Sequence, residues 1–127
     1  MRPIPVRAHG VIGLGHLLLA AGFLASAAYY GDALLGVIGL LNLWFAYSWS
    51  ITPTFTLFRS QLETYSRLGT VRRRTYFTGL DQLEARGRQL YLRDVRLPVA
   101  DATLARSQDW HRVVEAVDAA RAAAPSD

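Results

Sequence analysis

Two uncharged apolar runs separated by two residues leave few folds open to this chain. The first, VIGLGHLLLAAGFLASAAYY (11–30), is twenty residues without a formal charge. At 1.5 Å rise per residue it reaches about 30 Å, the thickness of a bilayer core. The second, ALLGVIGLLNLWFAYSWSI (33–51), has nineteen residues. Only Gly31 and Asp32 lie between them, so the pair is expected to form a tight antiparallel transmembrane hairpin. A cleaved signal peptide is one rival, but a second span follows at once and the first is long for a signal core. Buried helices of a soluble protein are another, but the residues after Pro53 are too few to cover both.

Arginine placement gives the hairpin a direction. Arg2 and Arg7 precede the first span, Arg59 and Arg67 follow the second, and the turn between them has no basic residue. The positive-inside rule then puts both termini in the cytoplasm. Tyr29 and Tyr30 fit the outer interface, with Trp44, Phe45, Tyr47 and Trp49 towards the inner one.

Polar residues inside a span are functional suspects by default. In a hairpin turning at 31/32, residue i lies level with residue 63−i, which pairs His16 with Tyr47 in depth and Asn42 with Ala21. A His16–Tyr47 hydrogen bond is therefore expected, leaving Asn42 for contacts within an oligomer. Gly22 and Ser26 form a small-xxx-small pair that permits close helix approach. His9 and His16, spaced i,i+7, offer a remote alternative as haem or metal ligands. Structural packing is preferred, because the chain has only three histidines and His111 lies far away in the tail.

Composition sets the next boundary. Residues 10–51 carry one formal charge, Asp32, whereas residues 53–127 carry twelve arginines and nine acids. Pro53 therefore separates an N-terminal segment and hairpin (1–52) from a cytoplasmic domain (53–127). There is no cysteine, which excludes disulfides, thiolate zinc sites and cysteine nucleophiles. SQDWH brings Ser107, Asp109 and His111 together in sequence, but at a helix start they point in different directions. No glycine-rich phosphate loop, metal-ligand spacing or isolated carboxylate pair is present, so neither catalysis nor a cofactor is expected.

After Pro53 the pattern changes to short runs: TFTLF (54–58), QLETYS (61–66), VRRRTYF (71–77), LDQLEA (80–85), RQLYL (88–92) and VRLPVA (95–100). Each reads as a strand, with turn chemistry at Arg59-Ser60, Leu68-Gly69, Thr78-Gly79, Arg86-Gly87 and, more weakly, Arg93-Asp94. The chain then changes period. Trp110, Val113, Val114 and Val117 recur at helical spacing after Ser107, a suitable N-cap, with Asp109 in the first turn. An amphipathic helix over about 108–124 is expected to close a small α+β domain of about six strands.

The order of these segments resembles that of bacterial pleckstrin-homology-like (PH-like) domains attached to membrane hairpins. The likeness runs through the two spans, the proline, and TFTLFRSQLETYSRLGTVRRRTYFTGLDQLEARGRQLYL. It implies an antiparallel β meander or part-barrel capped by the C-terminal helix, at the cytoplasmic face of a bacterial inner membrane. The six candidate strands are one fewer than the family's seven, so one is missing or comes from a partner chain.

Within that frame Arg72, Arg73 and Arg74 begin the third strand. Alternation puts Arg72, Arg74 and Tyr76 on one face and Val71, Arg73, Thr75 and Phe77 on the other. With Phe77 in the core, Arg73 belongs at the rim or beside a bulge. Arg86 and Arg88, flanking Gly87, join them as candidate lipid- or partner-contact residues. The expected role is a non-catalytic interaction module or accessory subunit, with a protein partner or further copies of itself. The alternative is contact with anionic headgroups. Nucleic acid is disfavoured, because acids such as Asp81, Glu84 and Asp94 interleave the arginines and no recognition motif accompanies them.

Overall fold

The computed structural model describes residues 1–125. Helices α1 (Gly10–Tyr30) and α2 (Ala33–Ile51) form the expected antiparallel hairpin. Its two-residue turn works by capping. Gly31 takes the left-handed conformation (φ 68°) and donates to the Ala27 carbonyl, while Asp32 accepts from the Leu34 N–H at 2.9 Å. Both helices are long and apolar enough to cross a membrane. Only 11% and 17% of their most apolar windows are buried, so their apolar surface faces outward and the rest of the chain does not cover it.

The seam between the helices is built from small residues, though not the expected ones. A Cβ on Gly39 would lie 2.7 Å from Leu24 Cγ, and one on Gly13 would lie 2.9 Å from Ser50 Oγ. Ala20 and Ala46 are buried beside them. Gly22 faces open space, and Ser26 turns its hydroxyl back to the Gly22 carbonyl at 2.9 Å. His16 Nδ1 meets Asn42 Oδ1 at 3.1 Å, not Tyr47. The Asn42 amide also donates to the Ile38 carbonyl at 3.0 Å, so its polar groups are used within the hairpin. Tyr47 is 64% exposed and lines an outer groove of the hairpin with Leu14 and Leu17, so equal depth alone does not bring it to His16.

The β domain holds two antiparallel sheets. One runs in the order β1 (Ile4–Val6), β2 (Phe55–Leu57), β3 (Gln61–Tyr65) and β4 (Val71–Tyr76). The other is β5 (Leu83–Arg86), β6 (Gln89–Leu92) and β7 (Ala100–Asp101). Strand β1 lies before the hairpin and pairs Val6 with Phe55, both fully buried. The composition break at Pro53 is therefore not the edge of the fold: α1 and α2 are inserted between β1 and β2. Among the described residues the chain supplies seven strands itself. The 80–85 run becomes a 3-10 turn (Leu80–Gln82) leading into β5, and of the 95–100 run only Ala100 is in β7.

Helix α3 (Ser107–Ala123) buries Trp110, Val113 and Val117 against a core that includes Val6, Phe55, Leu62, Leu83 and Leu90. Its N-cap is Arg106, without a side-chain capping bond, and Ser107 is already helical. Asp109 does sit in the first turn, but it accepts the Arg7 N–H at 3.1 Å, tying α3 to the segment ahead of α1. Arg106 N–H to the Arg7 carbonyl (2.9 Å) and His9 N–H to the Leu104 carbonyl (2.7 Å) add to that seam. On the other leg Thr54 N–H donates to the Val6 carbonyl at 2.8 Å, and the Ser48 hydroxyl donates to the Arg67 carbonyl. Both legs of the hairpin are thus stitched to the domain.

Candidate functional site

The predicted basic residues divide by partner. Glu63 lies opposite Arg74 in the β3–β4 register and accepts from its Nε at 2.9 Å. The same carboxylate accepts from Gln61 Nε2 (3.1 Å) and the Tyr65 hydroxyl (2.9 Å), so Arg74 completes a polar cluster over a residue only 8% exposed. Arg86 reaches Glu84 at 2.8 Å and lies over the Tyr91 ring, and its hydrogen bond holds the Glu84 carboxyl below its ordinary value. Arg88 donates to the Ala102 and Ala105 carbonyls at 2.9 and 2.6 Å, fixing the approach to α3. These three side chains are engaged by the fold itself.

Arg72 and Arg73 are different. The β3–β4 register slips between Thr64 and Tyr65: Thr64 faces Arg73, Tyr65 faces Val71, and Arg72 is the extra residue. This bulge, with Arg73 beside it, frees both side chains from the ladder pattern that pairs Arg74 with Glu63. Both are exposed, and they rim a cleft of about 440 Å³ between the sheets, with Phe55 and Thr64 on one wall and Pro98 and Val99 on the other.

A second cavity, about 490 Å³, shares Thr54 and Asp101 with the first and extends it to the end of α2. Its basic residue is Arg67, which the sequence offered only as a topology signal. The β3–β4 turn places it. Ser66 N–H bonds the Thr70 carbonyl at 2.9 Å and Gly69 takes φ 82°, leaving Arg67 and Leu68 at the hairpin tip. The Arg67 guanidinium carbon stands 4.0 Å from the Trp49 ring centroid. Its Nη1 is shut off from solvent and has no hydrogen-bond partner among the described residues. Burial lowers the Arg67 guanidinium below its ordinary value. Asp101 lines the same cavity but is committed to Thr103, accepting from its N–H at 2.8 Å and its hydroxyl at 2.5 Å.

The two histidines of the first helix face separate tasks. His9 Nδ1 accepts the Val11 N–H at 3.2 Å as the N-cap of α1, whereas His16 bonds Asn42 within the seam. The two are not brought together on a common ligand. The arrangement that remains is a band of arginines along a cleft, suited to non-covalent recognition of negative charge. Comparison of the chain with family models, curated proteins and solved structures found no match.

Proposed function

We propose that this protein is a membrane-anchored, non-catalytic interaction module. A PH-like domain is held at the cytoplasmic face of a bacterial inner membrane by the α1–α2 hairpin, as an accessory subunit of a membrane complex or homo-oligomer. The PH-like assignment draws support from the four-plus-three arrangement of antiparallel strands closed by a terminal helix. Insertion of the hairpin within the domain favours the same membrane side for both termini, in line with the arginines that flank it.

One observation carries the role: among the described residues Arg72 and Arg73 form no ion pair, and they lie on β4, an edge strand of its sheet. An outermost strand offers unpaired backbone groups to an extended segment, and two arginines at its bulged end favour an acidic one. Headgroup contact is the second reading. It is favoured by the continuity of the Arg72–Arg73 cleft with the cavity at the end of α2, since each arginine near an anionic leaflet contributes about 1 kcal/mol.

The test is purification of the tagged full chain from its native membrane in mild detergent, beside the Arg72→Glu/Arg73→Glu variant. A stoichiometric protein partner is expected with the wild type and lost with the variant. Equal recovery removes the β4 edge from the interface, and anionic lipid without a protein partner moves the role to headgroups. A C-terminal reporter is expected to be active only as a cytoplasmic fusion; periplasmic activity overturns the topology.

A further inference from the structure

Arg67 is half-buried, and its Nη1 is the one solvent-shielded side-chain polar atom among the described residues without a hydrogen-bond partner. The Trp49 ring covers a face of the guanidinium but accepts none of its in-plane N–H groups. The single carboxylate in the cavity is held by Thr103 and forms no ion pair with it. A half-buried cation that lines a cavity of about 490 Å³, with no ion-pair partner and one N–H group unmatched, has the form of an anion site awaiting its acceptor.

The surroundings narrow the anion. Trp49 lies two residues from the end of α2, within about 3 Å of the helix end along its axis, where an interfacial tryptophan belongs. Leu104 lines the cavity and is 59% exposed, while Leu68, beside Arg67 on the hairpin tip, is 74% exposed. A free phosphate has no use for these apolar neighbours, but a phospholipid does, because its acyl chains begin where its phosphate ends. We infer that this cavity binds the phosphodiester of a membrane phospholipid, with Arg67 as the cation and Trp49 and Leu104 as its apolar walls. The site adjoins the cleft of Arg72 and Arg73 but uses neither arginine, and it fixes the height of the domain above the bilayer.

Because the site rests on the membrane-anchored reading of the hairpin, the two are tested apart. The full chain is delipidated in a phosphate-free maltoside, and thermal unfolding is followed on titration with dioleoylphosphatidylglycerol. Wild-type protein is expected to gain at least about 5 °C at saturation. Arg67→Gln is expected to lose that gain, with Arg67→Lys keeping part of it. Leu104→Asp, at an exposed loop position, guards against a misfolded Arg67 variant and is expected to need at least tenfold more lipid. An undiminished shift in Arg67→Gln or Leu104→Asp overturns the site. So does an equal shift from diolein, which lacks phosphate, or from glycerol phosphate, which lacks acyl chains. Alkaline carbonate extraction of membranes reads the anchor independently. Resistant protein without the wild-type lipid shift removes the site alone, and extracted protein removes the anchor and the site with it.

Discussion

Glu63 faces Arg74 across β3 and β4, and that pairing decides which arginines of the 72–74 run stay available. Strict alternation groups Arg72 with Arg74; the bulge breaks the alternation and groups Arg72 with Arg73 instead. The placement of Arg73 at a rim beside a bulge was legible, because its charge conflicts with the core position of Phe77 two residues after Thr75. Arg67 was not, since nothing in SRLG announces that Trp49 will meet it. Asp101, between the two cavities, supplies a test of this polar band. Its carboxyl is held below the usual range by the Thr103 hydroxyl and N–H. The folded state therefore binds that proton less readily than the unfolded chain. The resulting stability is present above the unfolded pKa of about 3.9 and is lost as pH falls through the lower folded value. Asp101→Asn is expected to melt below wild type at neutral pH, with the two converging in more acid solution. A difference that persists unchanged below about pH 3 assigns the effect to shape rather than to the carboxylate.

At the scale of elements, the two spans were readable from their uncharged apolar length and the C-terminal helix from its apolar period, although the N-cap of that helix is Arg106 and not Ser107. The seam inside the hairpin was not, since a small-xxx-small pattern does not say which way it faces. Gly39 and Gly22 separate these cases. A side chain on Gly39 runs into Leu24, including its backbone nitrogen at 3.1 Å, whereas one on Gly22 meets nothing within 4 Å. Gly39→Val is expected to destabilise the hairpin by about 1–3 kcal/mol. Gly22→Ala is expected to be neutral or stabilising by up to about 1 kcal/mol, as removal of a helical glycine usually is. Denaturant unfolding in detergent micelles compares them, and equal effects refute the seam. For α3 the expected stripe faces the core, with Trp110, Val113 and Val117 buried and Trp110, 6% exposed, at its N-terminal end. Trp110→Ala is expected to cost about 3–5 kcal/mol in the same assay. An unaltered melt contradicts the packing of α3 on the sheets.

The strand hardest to see in the sequence determines how the whole molecule holds together. IPV (4–6) is three residues long, carries a proline, and stands directly before a span. Proline is tolerated there because β1 lies at the edge of its sheet, where one side of the strand needs no donor. Val6 nevertheless is fully buried, and Arg7 through His9 bond the start of α3. A fragment cut at Pro53 therefore loses a core strand and the partners of the Leu104–Asp109 segment, so residues 53–127 alone are expected to be poorly folded. The register points to the repair. Val6 pairs with Phe55 and Thr54 N–H bonds the Val6 carbonyl, so the two ends of the inserted hairpin leave the domain side by side. Replacing residues 10–51 with a flexible glycine–serine linker of about six residues, which spans roughly 12–15 Å, should close the domain without strain. The product is expected to be soluble and to unfold cooperatively, whereas the 53–127 fragment shows no such transition. Restoring β1 recovers the burial of Val6, about 1.5–3 kcal/mol, together with its backbone bonds to β2. Equal stability of the two proteins, measured by urea unfolding, means that β1 contributes nothing and that the domain begins after the hairpin. A linked protein that fails to fold means instead that the domain requires the Ser48 and Trp49 contacts of α2, and that the hairpin is part of its core as well as its anchor.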